Sequence, residues 1–124
     1  MDSLKKTYLA ARLALNNKAE GLKILDLRKQ SNFCDFFLIM TASSGRRAQA
    51  IIDAIREGWD KKRIPIKAQE GGIDSPWMLL DLFDIVVHIF NTQSREFYNL
   101  EKLWADAPLM KFPVKKNAPC PVRR

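Results

Sequence analysis

His88 is the only histidine among the 124 residues, and it stands inside an apolar run, Val86-Val87-His88-Ile89-Phe90. An imidazole can move protons near neutral pH or hold a metal, but a metal site needs further ligands and no second histidine or cysteine lies near it. A hydrogen-bonded packing or surface residue is the expectation. Asp81 and Asp84 form a second candidate, a carboxylate pair for acid–base work or for magnesium. They flank what reads as a tight hairpin, where an aspartate more often bonds nearby backbone amides, so a structural role is expected of both. Cys34 and Cys120 make no CxxC pair and no structural disulfide is expected.

The segment Thr41 to Arg47 places two serines and a glycine between an apolar run and a helical pattern, an arrangement whose backbone amides can meet a phosphate. It resembles the strand–turn–helix that opens nucleotidyltransferases. Those enzymes also require two carboxylates with one residue between them to bind their metals, and no Asp-x-Asp occurs here. The Gly-Lys-Ser/Thr ending of a P-loop is missing too. Ser43 or Ser44 is expected to cap a helix, with Arg46 and Arg47 solvating its start.

The elements that must position these residues follow from hydrophobic spacing. Ser3, as a cap, followed by Leu4, Tyr8, Ala11 and Leu15, with Leu9 and Leu13 filling the stripe, predicts an amphipathic helix ending near Lys18. Leu22 to Leu27 reads as a first strand, and the continuous run Phe36 to Met40 as a strand buried on both faces and central in a sheet. Ala48, Ile51, Ile52, Ile55 and Trp59 mark the clearest helix. Ile66 to Gln69 is a short strand, and Trp77 to Phe90 are two strands hinged around Phe83-Asp84. Ser94 then caps a helix that carries Phe97, Leu100 and Trp104 on one face, and Pro108 ends the ordered part. The order α-β-β-α-β-β-β-α predicts a single α/β domain over residues 1–108, with a mixed β-sheet of about five strands flanked by helices.

Net charge is +7, but Lys111, Lys115, Lys116, Arg123 and Arg124 supply five of the 21 basic residues, leaving 16 against 14 acidic ones before Lys111. Residues 109–124 therefore read as a basic, proline-containing, flexible tail. The nearly neutral body lacks the broad basic stripe of a dedicated nucleic-acid binder. No run of eighteen apolar residues and no signal-peptide pattern occurs, so no membrane partner and a cytoplasmic location are expected.

With no catalytic constellation, what remains is an apolar surface. Trp77, Leu79 and Asp81 point to one side of their strand and Met78, Leu80 and Leu82 to the other. In the next strand Asp84, Val86, His88 and Phe90 alternate with Ile85, Val87 and Ile89. An indole, an imidazole and aromatic rings gathered on one sheet face are the composition of a protein-binding hot spot.

Three blocks then match a known family in order and spacing: LDL with SNFCDFFLIMTASSGRRAQAI, QEGG followed by WMLLDLFDIVVHIF, and REFYNLEKLWADA. They resemble the Asp-Tyr/Phe-Phe strand with its Ser-Arg helix start, the Glu-Gly, Trp, Asp and Val-His series, and the Arg-x-x-Tyr-x-Leu-Glu-x-Leu-Trp-x-Asp-Ala ending of the Iojap, or ribosomal silencing factor, family. The resemblance covers residues 4 to 107 and leaves out the tail. Phe83, where a small turn residue is usual, and Thr41-Ala42, where the family has Thr-Gly, depart from the pattern.

The resemblance implies a nucleotidyltransferase-like fold without catalytic carboxylates, no enzyme activity and no cofactor. It implies a translation repressor that binds the large ribosomal subunit through ribosomal protein L-fourteen and blocks subunit joining when nutrients are scarce. Carried over by motif position, Trp77, Leu79, Asp81, His88, Phe90, Arg95, Tyr98 and Trp104 form or support the contact surface, with Trp77 as anchor and Trp104 also fitting a core position. Two other readings stay open: a nucleotidyltransferase-like enzyme using Asp81 or Asp84 with magnesium, and an RNA-binding ribosome-assembly adaptor using the tail, Arg46 and Arg47. A minor ribosomal RNA contact and a homodimer of the free protein are likewise left open.

Overall fold

In the computed structural model, residues 2–29, 34–91 and 109–110 are described, the last two by their backbone alone. Helix α1 spans Ser3–Asn16 and is capped by Asp2, whose side chain accepts from the Lys5 amide, not by the expected Ser3. Ser3 already lies inside the first turn, where its carbonyl accepts from the Thr7 hydroxyl at 2.8 Å. The apolar stripe is present, but its buried centre is the small-residue row Ala10, Ala11 and Ala14, with Leu4, Tyr8, Leu9 and Leu13 packed at its margins. Small side chains let the helix axis approach its neighbours closely.

Strand β1 (Glu20–Asp26) starts slightly earlier than expected and leads to β2 (Phe36–Ala42). Helix α2 (Gly45–Lys61) buries Ala48, Ile51, Ile52, Ile55 and Trp59, the five positions its periodicity singled out. Each of these larger side chains, fully removed from water, contributes about 1.5–3 kcal/mol. Both helices end in a residue at positive φ, Lys18 at 68° and Arg63 at 57°, the left-handed conformation common just past a helix C-terminus. After α2 come β3 (Ala68–Glu70), β4 (Trp77–Asp81), β5 (Ile85–Asn91) and β6 (Leu109–Met110).

The sheet has six strands in the order β3-β4-β5-β2-β1-β6, one more than expected. The extra strand is β6, which pairs with Ile24 and Leu25 just past Pro108, so pairing does not stop at the expected boundary. The sheet is mixed as anticipated: β2 and β5 run parallel and the other pairs antiparallel. A parallel pair needs a crossover, and α2 provides it. β2, the continuous apolar run, is interior in the sheet, and all of Phe36–Met40 is buried except the partly buried Phe37.

Alternation along the strands separates two faces. Ile24, Phe36, Leu38, Met40, Met78, Leu80, Ile85, Val87 and Ile89 pack with α1 and α2 in the main core. Leu25, Leu27, Cys34, Ile39 and Phe90 form a second cluster with Phe37, Trp77 and Val86 on the opposite side. The helix expected from Ser94 to Pro108, and with it Arg95, Tyr98 and Trp104, lies outside the described residues, as does the basic tail beyond Met110.

Candidate functional site

On the side away from α1 and α2, the register of β4 against β5 sets Trp77 opposite Phe90, Leu79 opposite His88 and Asp81 opposite Val86. The parallel pairing of β2 with β5 adds Phe37 beside Val86 and Ile39 beside His88. Trp77 stacks on Phe90 with ring centroids 5.1 Å apart and approaches His88, its diagonal neighbour, at 5.7 Å. Phe37 meets the imidazole edge-on at 4.5 Å. Such aromatic pairs contribute about 0.5–1.5 kcal/mol beyond the area they bury.

A hydrogen bond fixes the chemical state of this cluster. The Trp77 indole Nε1 donates to His88 Nδ1 at 3.2 Å, so Nδ1 is an acceptor and the ring hydrogen sits on Nε2. His88 is 4% exposed, and Nε2 is buried without a hydrogen-bond partner among the described residues. Burial lowers the imidazole pKa from 6.5 to about 4. Protonation would also turn Nδ1 into a donor facing the indole donor. His88 is thus a neutral packing group at physiological pH: it does not take up a second proton near neutrality, its Nδ1 lone pair is taken by the indole, and its Nε2 carries hydrogen.

Beside this cluster the sheet face opens into a concavity of about 500 Å³, floored by Phe37, Leu79, Val86 and His88. Its rim carries Glu70, Asp81 and Asp84, the cation Lys67 and the ring of Phe83, with Lys6 reaching Asp84 from α1. The rim is acidic although the chain carries a net charge of +7. Asp81 has the turn role expected of it, accepting from the Phe83 amide at 3.0 Å, with Lys67 Nζ 3.9 Å from its other oxygen. Asp84 is held by Lys6 of α1 at 3.1 Å.

The turn these carboxylates flank is unusual. Phe83 has φ of 74°, and the Asp84 amide donates to the Leu82 carbonyl two residues back at 3.0 Å. That is the pattern of the rare, strained hand of γ-turn. Left-handed backbone costs a side-chain-bearing residue about 1–2 kcal/mol. Phe83 is nevertheless 47% exposed, so about half of its surface stays in water instead of packing within the fold.

The turn before α2 offers no comparable site. Ser44 is the helix cap, its hydroxyl oxygen accepting from the Arg47 amide at 3.0 Å. The Ile73 carbonyl presses so closely on Gly45 that a Cβ there would overlap it. Only about 90 Å³ remains between this helix start and the Ile73-Asp74-Ser75 loop. Among the described residues there is no cluster of three or more His, Cys, Asp or Glu side chains that could hold a metal. No helix among them is long and apolar enough to cross a membrane.

Five of the eight residues chosen from the sequence thus gather on one face: Trp77, Leu79, Asp81, His88 and Phe90. They divide by role, since Trp77, Leu79 and Asp81 are partly exposed while His88 and Phe90 are buried and support them. Sequence reasoning passed over Phe37, Lys67 and Glu70 and treated Phe83 only as a departure from the family. Phe37 could have been found by extending the alternation of β5 through a parallel partner, but an unbroken apolar run conceals which side each residue takes. Lys67 and Glu70 reach the rim only because β3 pairs with β4.

Comparison with known proteins agrees with this architecture. The family model described as "Ribosomal silencing factor during starvation" matches residues 1–121, extending into the tail that the three sequence blocks left out. Ribosomal silencing factor RsfS of Bacillus subtilis (strain 168) is 42% identical over 101 residues, 82% of this chain and 86% of that protein. Protein Iojap, chloroplastic, of Zea mays is 35% identical over 103 residues, 83% of this chain and 45% of the longer plant protein. A crystal structure from Bacillus halodurans superposes with a TM-score of 0.73 at 38% identity, covering 83% of this chain and 93% of that one. By sequence and by fold, the chain belongs to the ribosomal silencing factor (RsfS) family.

Proposed function

We propose that this chain represses translation by docking the sheet face around Trp77 on ribosomal protein L-fourteen of the large subunit, where it obstructs joining of the small subunit. The observation that carries the reading is the partly exposed Trp77–Leu79 surface, braced from beneath by His88 and Phe90 and bordered by an acidic rim. A rigid indole over a dry support is the usual form of a binding anchor. The rim selects a basic partner and repels phosphates, which favours a ribosomal protein over RNA as the docking surface. The protein acts as a steric block without chemistry of its own, in the cytoplasm, when nutrients are limiting.

Sedimentation of the purified chain with separated subunits tests this. Co-migration with the large subunit alone and fewer joined ribosomes in the mixture are expected. Trp77→Ala, which removes an anchor worth about 2 kcal/mol or more, should weaken the association about 30-fold. Absence from both subunits would overturn the reading, and unchanged binding of Trp77→Ala would overturn the assignment of the face.

A further inference from the structure

The turn between β4 and β5 holds the least expected residue among those described. Among the described residues Ile73 and Phe83 are the exposed large hydrophobic side chains, and Phe83 alone of the two also has positive φ. The other residues at positive φ apart from glycine, Lys18 and Arg63, follow helix ends and are long, polar and solvated. A phenylalanine in that conformation is an outlier, because its Cβ crowds the neighbouring backbone where glycine or asparagine would fit. The turn is nevertheless held closed: the Asp81 carboxylate accepts from the Phe83 amide, and the Leu82 amide donates to the Ile85 carbonyl at 2.8 Å. The fold therefore maintains a strained turn whose product is a half-exposed aromatic ring on the rim of the concavity.

We propose that Phe83 is a second anchor of the docking surface, inserting its ring into an apolar recess on a basic protein surface of the large ribosomal subunit. This rests on the reading of the sheet face given above and extends it to the turn residue between β4 and β5. Two features point to such a partner. Phe83 borders the same concavity as Leu79 and His88, so one partner surface covers them together. The three carboxylates of that rim, Glu70, Asp81 and Asp84, exceed the two cations that meet them, Lys67 beside Asp81 and Lys6 paired with Asp84, in a chain of net charge +7, so the surface complements a basic protein better than nucleic acid. Strain retained at a binding residue is a recognised exchange of stability for function.

The test uses the full chain, purified large subunits and two variants. Phe83→Gly removes both the ring and the backbone strain, whereas Phe83→Ala removes the ring and keeps a Cβ. Both should bind large subunits about tenfold more weakly than wild type, as expected for loss of a buried aromatic anchor. Phe83→Gly should at the same time melt about 4 °C higher, and higher than Phe83→Ala. Wild-type binding with both variants equally tight would overturn the proposal while leaving the docking face intact. A lower melting temperature for Phe83→Gly would also overturn it, by showing that the ring packs within the fold. Phe83-dependent binding to protein-free ribosomal RNA would replace the basic protein surface by nucleic acid. Failure of the wild type to bind large subunits would overturn the parent reading, and this one with it.

Discussion

Acidification should destabilise this protein through one side chain. His88 is the only histidine in the sequence, is 4% exposed, and has its pKa lowered by burial from 6.5 to about 4. The unfolded chain takes up the proton as pH falls through about 6.5, but the folded chain resists until about 4. The unfolded state binds more protons throughout that interval, so stability is complete above it and declines as the pH drops. Linkage with these two values gives a loss of about 2 kcal/mol between pH 7 and pH 5, and about 3 kcal/mol by pH 4. Against a typical domain stability of about 5–15 kcal/mol this is a large fraction.

Most carboxylates remain ionised down to about pH 5, so the upper part of the window isolates the imidazole. Urea unfolding followed by indole fluorescence at constant ionic strength would measure it, with His88→Gln as reference. Glutamine retains an acceptor for the Trp77 indole but cannot take the proton. The variant should start less stable, having lost the ring contacts, and show little change between pH 7 and pH 5. A wild-type stability that is flat over that range, or a variant that falls in parallel with it, would refute the assignment of a buried neutral imidazole.

Other perturbations probe the elements that hold the face in place. Gly45→Ala should cost about 1–3 kcal/mol, since its Cβ must displace the Ile73 carbonyl, and a lowered urea midpoint with faster proteolysis in the Gly71–Pro76 loop would register it. Ser44→Ala should cost about 1 kcal/mol by leaving the Arg47 amide without its cap, measurable as a lower melting temperature with large-subunit binding unchanged.

Much of this architecture is written in local spacing. The period of Ala48, Ile51, Ile52, Ile55 and Trp59 is that of a helix face whatever surrounds it, and those are the residues α2 buries. The unbroken run from Phe36 to Met40 can satisfy itself only as an interior strand, and the two-residue alternation from Trp77 onward assigns Trp77, Leu79 and Asp81 to one side before any partner is known. The family motifs are local too, which is why family membership was legible at once. Caps were less so: Asp2 and Ser3 both bear an oxygen suited to the task, and only the built turn shows that the carboxylate of Asp2 reaches the Lys5 amide.

What lies far apart in the chain was decided by tertiary structure. The parallel registration of β2 with β5 brings Phe37 to the edge of His88, and the cross-strand diagonal lets the Trp77 indole fix the imidazole tautomer. Lys6 finds Asp84 across 78 positions, and β3, with Lys67 just before it, brings Lys67 and Glu70 to the rim of a concavity that no motif describes. The conformation of Phe83 belongs to this second class as well. A sequence states which side chain occupies a turn, but the pairing of β4 with β5 on either side sets the backbone angle it must accept. Contacts of that kind depend on registration between distant strands, and periodicity within one strand carries no information about it.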